Sequence, residues 1–227
     1  MSAKHNCRLR LSLVAKQSAI FLMTLGLIWL SGCGSLLPKA PIQPTLYMLD
    51  GVAINSLATL NSPSNLAKQP LSNAPTLVVS TPIAAAGFSG IHIVYQRNVN
   101  ELERFALSQW ADTPVQMLAP LIVRAAERSG AFRSVVRSST AAISDFRLDT
   151  ELIRLQQEFT SNPSRTRLTL RAVLVNTATR RVVASREFDA SVASPSEDPR
   201  GGVVAANEVA NRVLAELAKF CAESVAP

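Results

Sequence analysis

The sequence predicts an α+β fold, a two-layer sandwich in which a mixed, mostly antiparallel sheet carries two helices on one face. Three observations support it. Residues 165–176 alternate strictly, with Leu168, Leu170, Ala172 and Leu174 on one side and Arg165, Arg167, Thr169 and Arg171 on the other. This is the period of an antiparallel strand with one wet face. Two other segments, 114–129 and 203–221, gather their apolar residues into single helical stripes. A sheet with one dry face and two helices with one dry stripe each satisfy one another in two layers.

In chain order, Lys4, Arg8, Arg10 and Lys16 form a positive leader, followed by thirteen uncharged residues from Ser18 to Leu30. A spanning helix needs about 20 apolar residues, so this run has the length of a signal-peptide core instead. It closes on Leu30-Ser31-Gly32-Cys33, not on an A-x-A site. The pattern resembles the lipobox of bacterial lipoproteins, whose cysteine is acylated, with palmitate among its chains, and becomes the first mature residue. Residues 1–32 are then a signal peptide and Cys33 is the lipidation site. Gly34 follows the cysteine in place of the aspartate that marks inner-membrane retention. The same resemblance therefore implies a lipid-anchored protein on the periplasmic face of the outer membrane.

Residues 33–45 contain Pro38, Pro41 and Pro44 and read as a stiff tether. The folded domain is expected over 46–227. Leu46 to Leu49 is a short strand, and residues 55–75, rich in Asn, Ser and Pro without apolar periodicity, form a loop insert. Thr76–Ser80 reads as a buried strand and Ile91–Arg97 as a second. Glu101–Trp110 leans to strand by its alternation. Thr113-Pro114 is a helix start, with the threonine placed to cap and the proline at the first helical position. Val115, Leu118, Ile122, Ala125 and Ala126 make its stripe, and Gly130 ends it. Pro120 is expected to kink this helix or shift its start. Strands follow at 132–137, 145–159, 165–176 and 181–192, the last two joined by a hairpin turn at Asn176–Thr179. The final helix is placed from Val203 to Cys221, with Val203, Ala206, Ala210, Val213, Leu214, Leu217 and Cys221 on one face.

Composition narrows the function. The formal charge of +7 includes four basic residues of the leader, and the mature chain carries 19 basic against 16 acidic residues. A net +3 gives no case for nucleic acid as a partner. Cys7 leaves with the leader and Cys33 takes the lipid, so Cys221 has no disulfide partner and is expected as a buried free thiol. No spacing of His and Cys suits a metal, and no glycine loop suits a phosphate, so neither metal nor cofactor is expected. His92, inside a strand, reads as structural. Gly87-Phe88-Ser89-Gly90 lacks the spacing of a nucleophile elbow and reads as a turn. Glu101/Glu103 and Asp149/Glu151 stand two apart on strands, where solvated faces carry such pairs routinely. Arg165, Arg167 and Arg171, with Arg180, Arg181 and Arg186, form either a solvated face or one that binds acidic groups. No catalytic residues are assigned, and the protein is expected not to be an enzyme. Trp110, just before the first helix, is expected to be core.

From Tyr47 onward the order of short segments resembles the ABC-type transport auxiliary lipoprotein family. The matching pieces are Tyr47-Met48-Leu49, Thr76–Ser80, Ile93-Val94-Tyr95-Gln96-Arg97 and Ser108-Gln109-Trp110-Ala111-Asp112. They continue with Ser129-Gly130-Ala131-Phe132, Asp145-Phe146-Arg147-Leu148 and Ala205-Ala206-Asn207. The resemblance implies intermembrane lipid trafficking beside an ABC transporter and a periplasmic protein of the mammalian-cell-entry (MCE) class. In that setting the lipoprotein docks the conduit at the outer membrane as a homo-oligomeric ring. Two other readings stay open: an outer-membrane scaffold with no lipid path, and a monomeric lipid-binding shuttle.

Overall fold

A computed structural model describes residues 42–50, 73–138 and 143–225. The leader, Cys33, the tether up to residue 41 and the insert from 55 to 72 lie outside the described residues. The elements are β1 (Thr45–Tyr47), β2 (Thr76–Val79), β3 (Ile83–Ala84), β4 (His92–Gln96), β5 (Glu103–Trp110) and α1 (Pro114–Arg128). They continue with β6 (Ser134–Arg137), β7 (Phe146–Glu158), β8 (Arg165–Asn176), β9 (Arg181–Ala193) and α2 (Pro199–Val225).

The organising element is β7. One edge pairs antiparallel with β8 along its whole length, and β8 pairs in the same way with β9. The other edge is shared in series by three short parallel partners: β2 at Phe146–Leu148, β3 at Glu151–Leu152 and β4 at Gln157–Glu158. The sheet forks there. β6 extends the β2 branch, and β5 and then β1 extend the β4 branch. Parallel contacts are thus short and the long ladders antiparallel, in keeping with the α+β, mixed-sheet expectation. A bulge between Leu152 and Arg154 switches which residues of β7 face inward, from Leu148, Thr150 and Leu152 to Leu155 and Gln157.

Both helices cover one face. Leu168, Leu170, Ala172 and Leu174 of β8 are buried against Val209, Val213, Leu217 and Cys221 of α2 in one core, which also takes Leu118, Ile122 and Ala126 of α1. At 27 residues, α2 is about 40 Å long, the span of the twelve-residue strands beneath it. Residues Gln43–Pro227 form a single compact unit.

Three sequence expectations need correction. The Thr113 hydroxyl does not cap α1; it is buried without a partner, and Asp112 instead accepts the Thr113 N–H at 2.6 Å. Pro120 does not shift the start of α1, which begins at Pro114 and runs on through it, with Pro120 on the exposed side. The final helix begins at Pro199, four residues early, with Asp198 accepting the Gly201 N–H at 2.7 Å. The Gly201-Gly202 pair does not break it. A Cβ on Gly201 would lie 2.2 Å from the Ser196 carbonyl oxygen, and one on Gly202 would lie 2.3 Å from Gln157 Oε1. Gly201 lets the helix start pack on the loop before it, and Gly202 lets it sit directly on β7.

Candidate functional site

The junction between tether and domain is built from three contacts. β1 runs parallel to β5, with Thr45, Leu46 and Tyr47 opposite Ser108, Gln109 and Trp110. The Ala111 N–H then donates to the Tyr47 carbonyl at 2.7 Å. Past the strand, Asn207 of α2 donates its amide to the Met48 carbonyl at 3.1 Å and accepts the Asp50 N–H at 2.8 Å. The first chain segment is therefore fastened to the sheet and to the helix layer at once. Trp110 is 3% exposed and packs in the main core, as expected of it. In the sequence Asn207 stands out only within the Ala205-Ala206-Asn207 segment of the resemblance, and its partners lie about 160 residues away.

The arginines of the wet sheet face do not stand free. Arg167 pairs with Glu158 at 3.2 Å and Asp189 at 2.9 Å, while Arg171 pairs with Glu151 at 3.2 Å and Glu187 at 3.0 Å. Arg165 donates to the hydroxyl and carbonyl oxygens of Ser191, and Arg147 pairs with Asp149. Arg186 points to the helix side, to Glu223 at 3.2 Å and over the Phe220 ring. Acidic residues of β7 and β9 thus interleave with the basic ones of β8, which favours the solvated-face reading. Pairs this exposed each contribute about 0–1 kcal/mol.

Residues weighed for chemistry have structural partners. His92 opens β4 with its side chain exposed. Gly87–Gly90 is a turn, with Gly87 at φ +96°. Glu101 falls outside β5, contrary to expectation, and accepts the Asn98 amide; Glu103 accepts the Tyr95 hydroxyl at 2.8 Å, which pushes that phenol up. Asp149 accepts the Ser80 hydroxyl at 2.6 Å. Asp145 joins β7 to β2 by accepting the Thr76 N–H at 2.8 Å and its hydroxyl at 2.9 Å; these bonds hold its carboxyl below the usual range. Cys221 is the buried free thiol expected, and burial pushes it up to about 12. Among the described residues, no group of three His, Cys, Asp or Glu side chains is placed to hold a metal. No described helix is long and apolar enough to cross a membrane.

An open groove of about 530 Å³ lies between α1 and α2. Leu121, Ala125, Leu214 and Ala218 form its floor, and Arg124, Arg212 and Glu208 stand on its rim. Arg212 and Glu208 pair with each other one helical turn apart.

A family model described as the ABC-type transport auxiliary lipoprotein component matches residues 59–218. Among solved structures, a protein from Xanthomonas campestris is 27% identical with a TM-score of 0.60, over 69% of this chain and 91% of that one. A second, titled an uncharacterized protein, is 14% identical with a TM-score of 0.56, over 81% of this chain and 99% of that one, a likeness of fold alone. The search of curated proteins finds no match.

Proposed function

This chain belongs to the ABC-type transport auxiliary lipoprotein family, and from that premise we propose that it is a non-enzymatic outer-membrane component of a lipid-transport system, docking a periplasmic MCE-class conduit. Membership makes it a lipoprotein partner of an ABC transport system. The finer reading is that Cys33 carries the lipid, that the outer membrane holds it, and that copies ring the mouth of the conduit.

The observation that carries this reading is the fastening of the N-terminal segment. A domain whose tethered end is tied to β5 and to Asn207 is suited to hold a position against a membrane. The packing between sheet and helices supports docking over shuttling. Among the described residues, that interface is filled by side chains such as Leu77, Ile122, Leu168 and Leu217, while the α1–α2 groove is open to solvent.

The test is genetic and biochemical together. Cys33→Ser should abolish acylation and remove the protein from outer-membrane fractions. Deleting this protein and the MCE partner together should give an envelope defect no worse than either single deletion, because both remove one conduit. Clear additivity would place the protein outside that path and put the scaffold reading first.

A further inference from the structure

We infer that the β4–β5 turn, residues 97–102, is a second membrane contact, setting Val99 and Leu102 into the head-group region of the leaflet that holds the lipid. This rests on the lipid anchor at Cys33 proposed above.

The turn presents apolar side chains outward in a fixed way. Val99 is 79% exposed and Leu102 is 49% exposed, both at the end of the sheet. The Glu101 N–H donates to the Asn98 carbonyl at 3.3 Å, and the Asn98 amide donates to the Glu101 carboxylate at 2.8 Å. Asn100 takes the left-handed conformation at φ 66°, which asparagine tolerates better than most residues. Val99 is thereby held at the apex of a closed turn, with no ordering left to be done on contact. Beside it the exposed Arg97 places its guanidinium 5.2 Å from the Tyr95 ring centre and 5.6 Å from that of Phe159. A cation on an aromatic base next to exposed aliphatic side chains is the arrangement found where a protein meets lipid head groups.

Strand polarity says which way this end points. β5 runs from Glu103, beside the turn, down to Trp110, and β1 runs parallel to its last three residues. The chain that arrives at Thr45 therefore comes along β5 from the side of the turn. The distance from the Ser108 level to the turn is about 20 Å at strand rise. The twelve residues from Cys33 to Thr45 reach at most about 40 Å. A lipid at Cys33 can thus sit at a surface that the turn also touches. The opposite end, with the β8–β9 hairpin at residues 177–180, then faces away from the membrane.

Charge points to lipid over a charged protein partner. Around the turn, Arg97 and Arg104 balance Glu101 and Glu103, and beside it Arg165 at the start of β8 and Arg200 at the start of α2 balance Glu197 and Asp198 of the loop before α2. With neither sign in excess, nothing at this end selects a charged partner, and the entry of the tethered chain from this side sets it apart from the opposite end, where Val182 and Val183 are also exposed.

The test uses the lipidated protein in phosphatidylcholine–phosphatidylethanolamine vesicles, spin-labelled at Val99→Cys or, on the opposite hairpin, at Ala178→Cys. The label at 99 should be shielded from a water-soluble nickel relaxant at least threefold relative to the detergent-solubilised protein, and the label at 178 should be unchanged. Shielding should persist in 0.5 M salt; its loss there would overturn apolar insertion. A label at Leu102→Cys should be shielded likewise and lose that shielding when Val99→Asp is added; retained shielding would also overturn the proposal. Protein that floats with its vesicles but shows a fully aqueous label at 99 refutes the turn contact alone. Wild-type protein that does not float refutes the lipid anchor, and the turn contact with it.

Discussion

Gly201→Ala is the sharpest test of how the start of α2 packs on the loop before it. In a helix an alanine is worth up to about 1 kcal/mol more than a glycine, so propensity alone predicts a gain. The structure predicts a loss. The new Cβ would lie 2.2 Å from the Ser196 carbonyl oxygen, 2.4 Å from its Oγ and 2.7 Å from its N, all well inside contact distance. Two of these are backbone atoms of the loop that starts the helix, so no rotamer change relieves the overlap. Overfilling a packed site costs about 1–3 kcal/mol, and rigid neighbours place this one near ~3. The net is about 2 kcal/mol of lost stability, or a melting temperature roughly 4–8 °C lower for a domain of this size. Thermal and urea unfolding of the leaderless Cys33→Ser chain would measure it, with Gly202→Ala beside it. That second variant should lose less, because the overlap is with the side-chain amide of Gln157 and not with backbone, although shifting it strains its hydrogen bond to Ser164. Unchanged or raised stability in Gly201→Ala would refute the seating of α2 on Ser196.

Other expectations follow from packing and charge. Trp110→Ala should cost about 3–5 kcal/mol, read from the shift in urea midpoint at constant slope. Cys221, with its thiol pushed up to about 12, has a thiolate fraction of about 10⁻⁴ at pH 8, so maleimide should label it only on unfolding. For Asp145 the folded carboxyl titrates below its unfolded range, so its contribution is present above about pH 4 and lost as pH falls through the folded value. Asp145→Asn should therefore flatten the acid limb of the stability–pH curve, and an unaltered limb would show that the Thr76 bonds carry none of it.

What the sequence discloses depends on how local each cause is. The alternation of β8 and the stripe on α2 come from neighbouring residues obeying one period, and both appear in the structure with the expected residues buried. The start of α2 lies four residues before Val203, the first residue of the apolar stripe, because Gly201 and Gly202 carry no side chains to extend that stripe. Asp198-Pro199, a capping residue followed by a first-position proline, is the local sign of that start. The neutralisation of the arginine face was out of reach, since Arg171 finds Glu187 and Glu151 only once β7, β8 and β9 are in register. The β7 bulge likewise leaves no mark that a period of two would reveal. Leu30-Ser31-Gly32-Cys33 resembles a lipobox through neighbouring residues alone, whereas Asn207 acts through Met48 and Asp50, far away in the chain.

The fastening of β1 also has a mechanical meaning. A load applied to Thr45 along β1 would act along the strand axis, because β1 lies parallel to β5. Hydrogen bonds of a ladder pulled lengthwise share the force and yield together, whereas a strand peeled sideways gives up one bond at a time. The two Asn207 bonds lie beyond the ladder, so they are reached only after β1 has slipped. A short strand of three residues so oriented, with a second catch behind it, resists a lengthwise pull better than its length alone suggests.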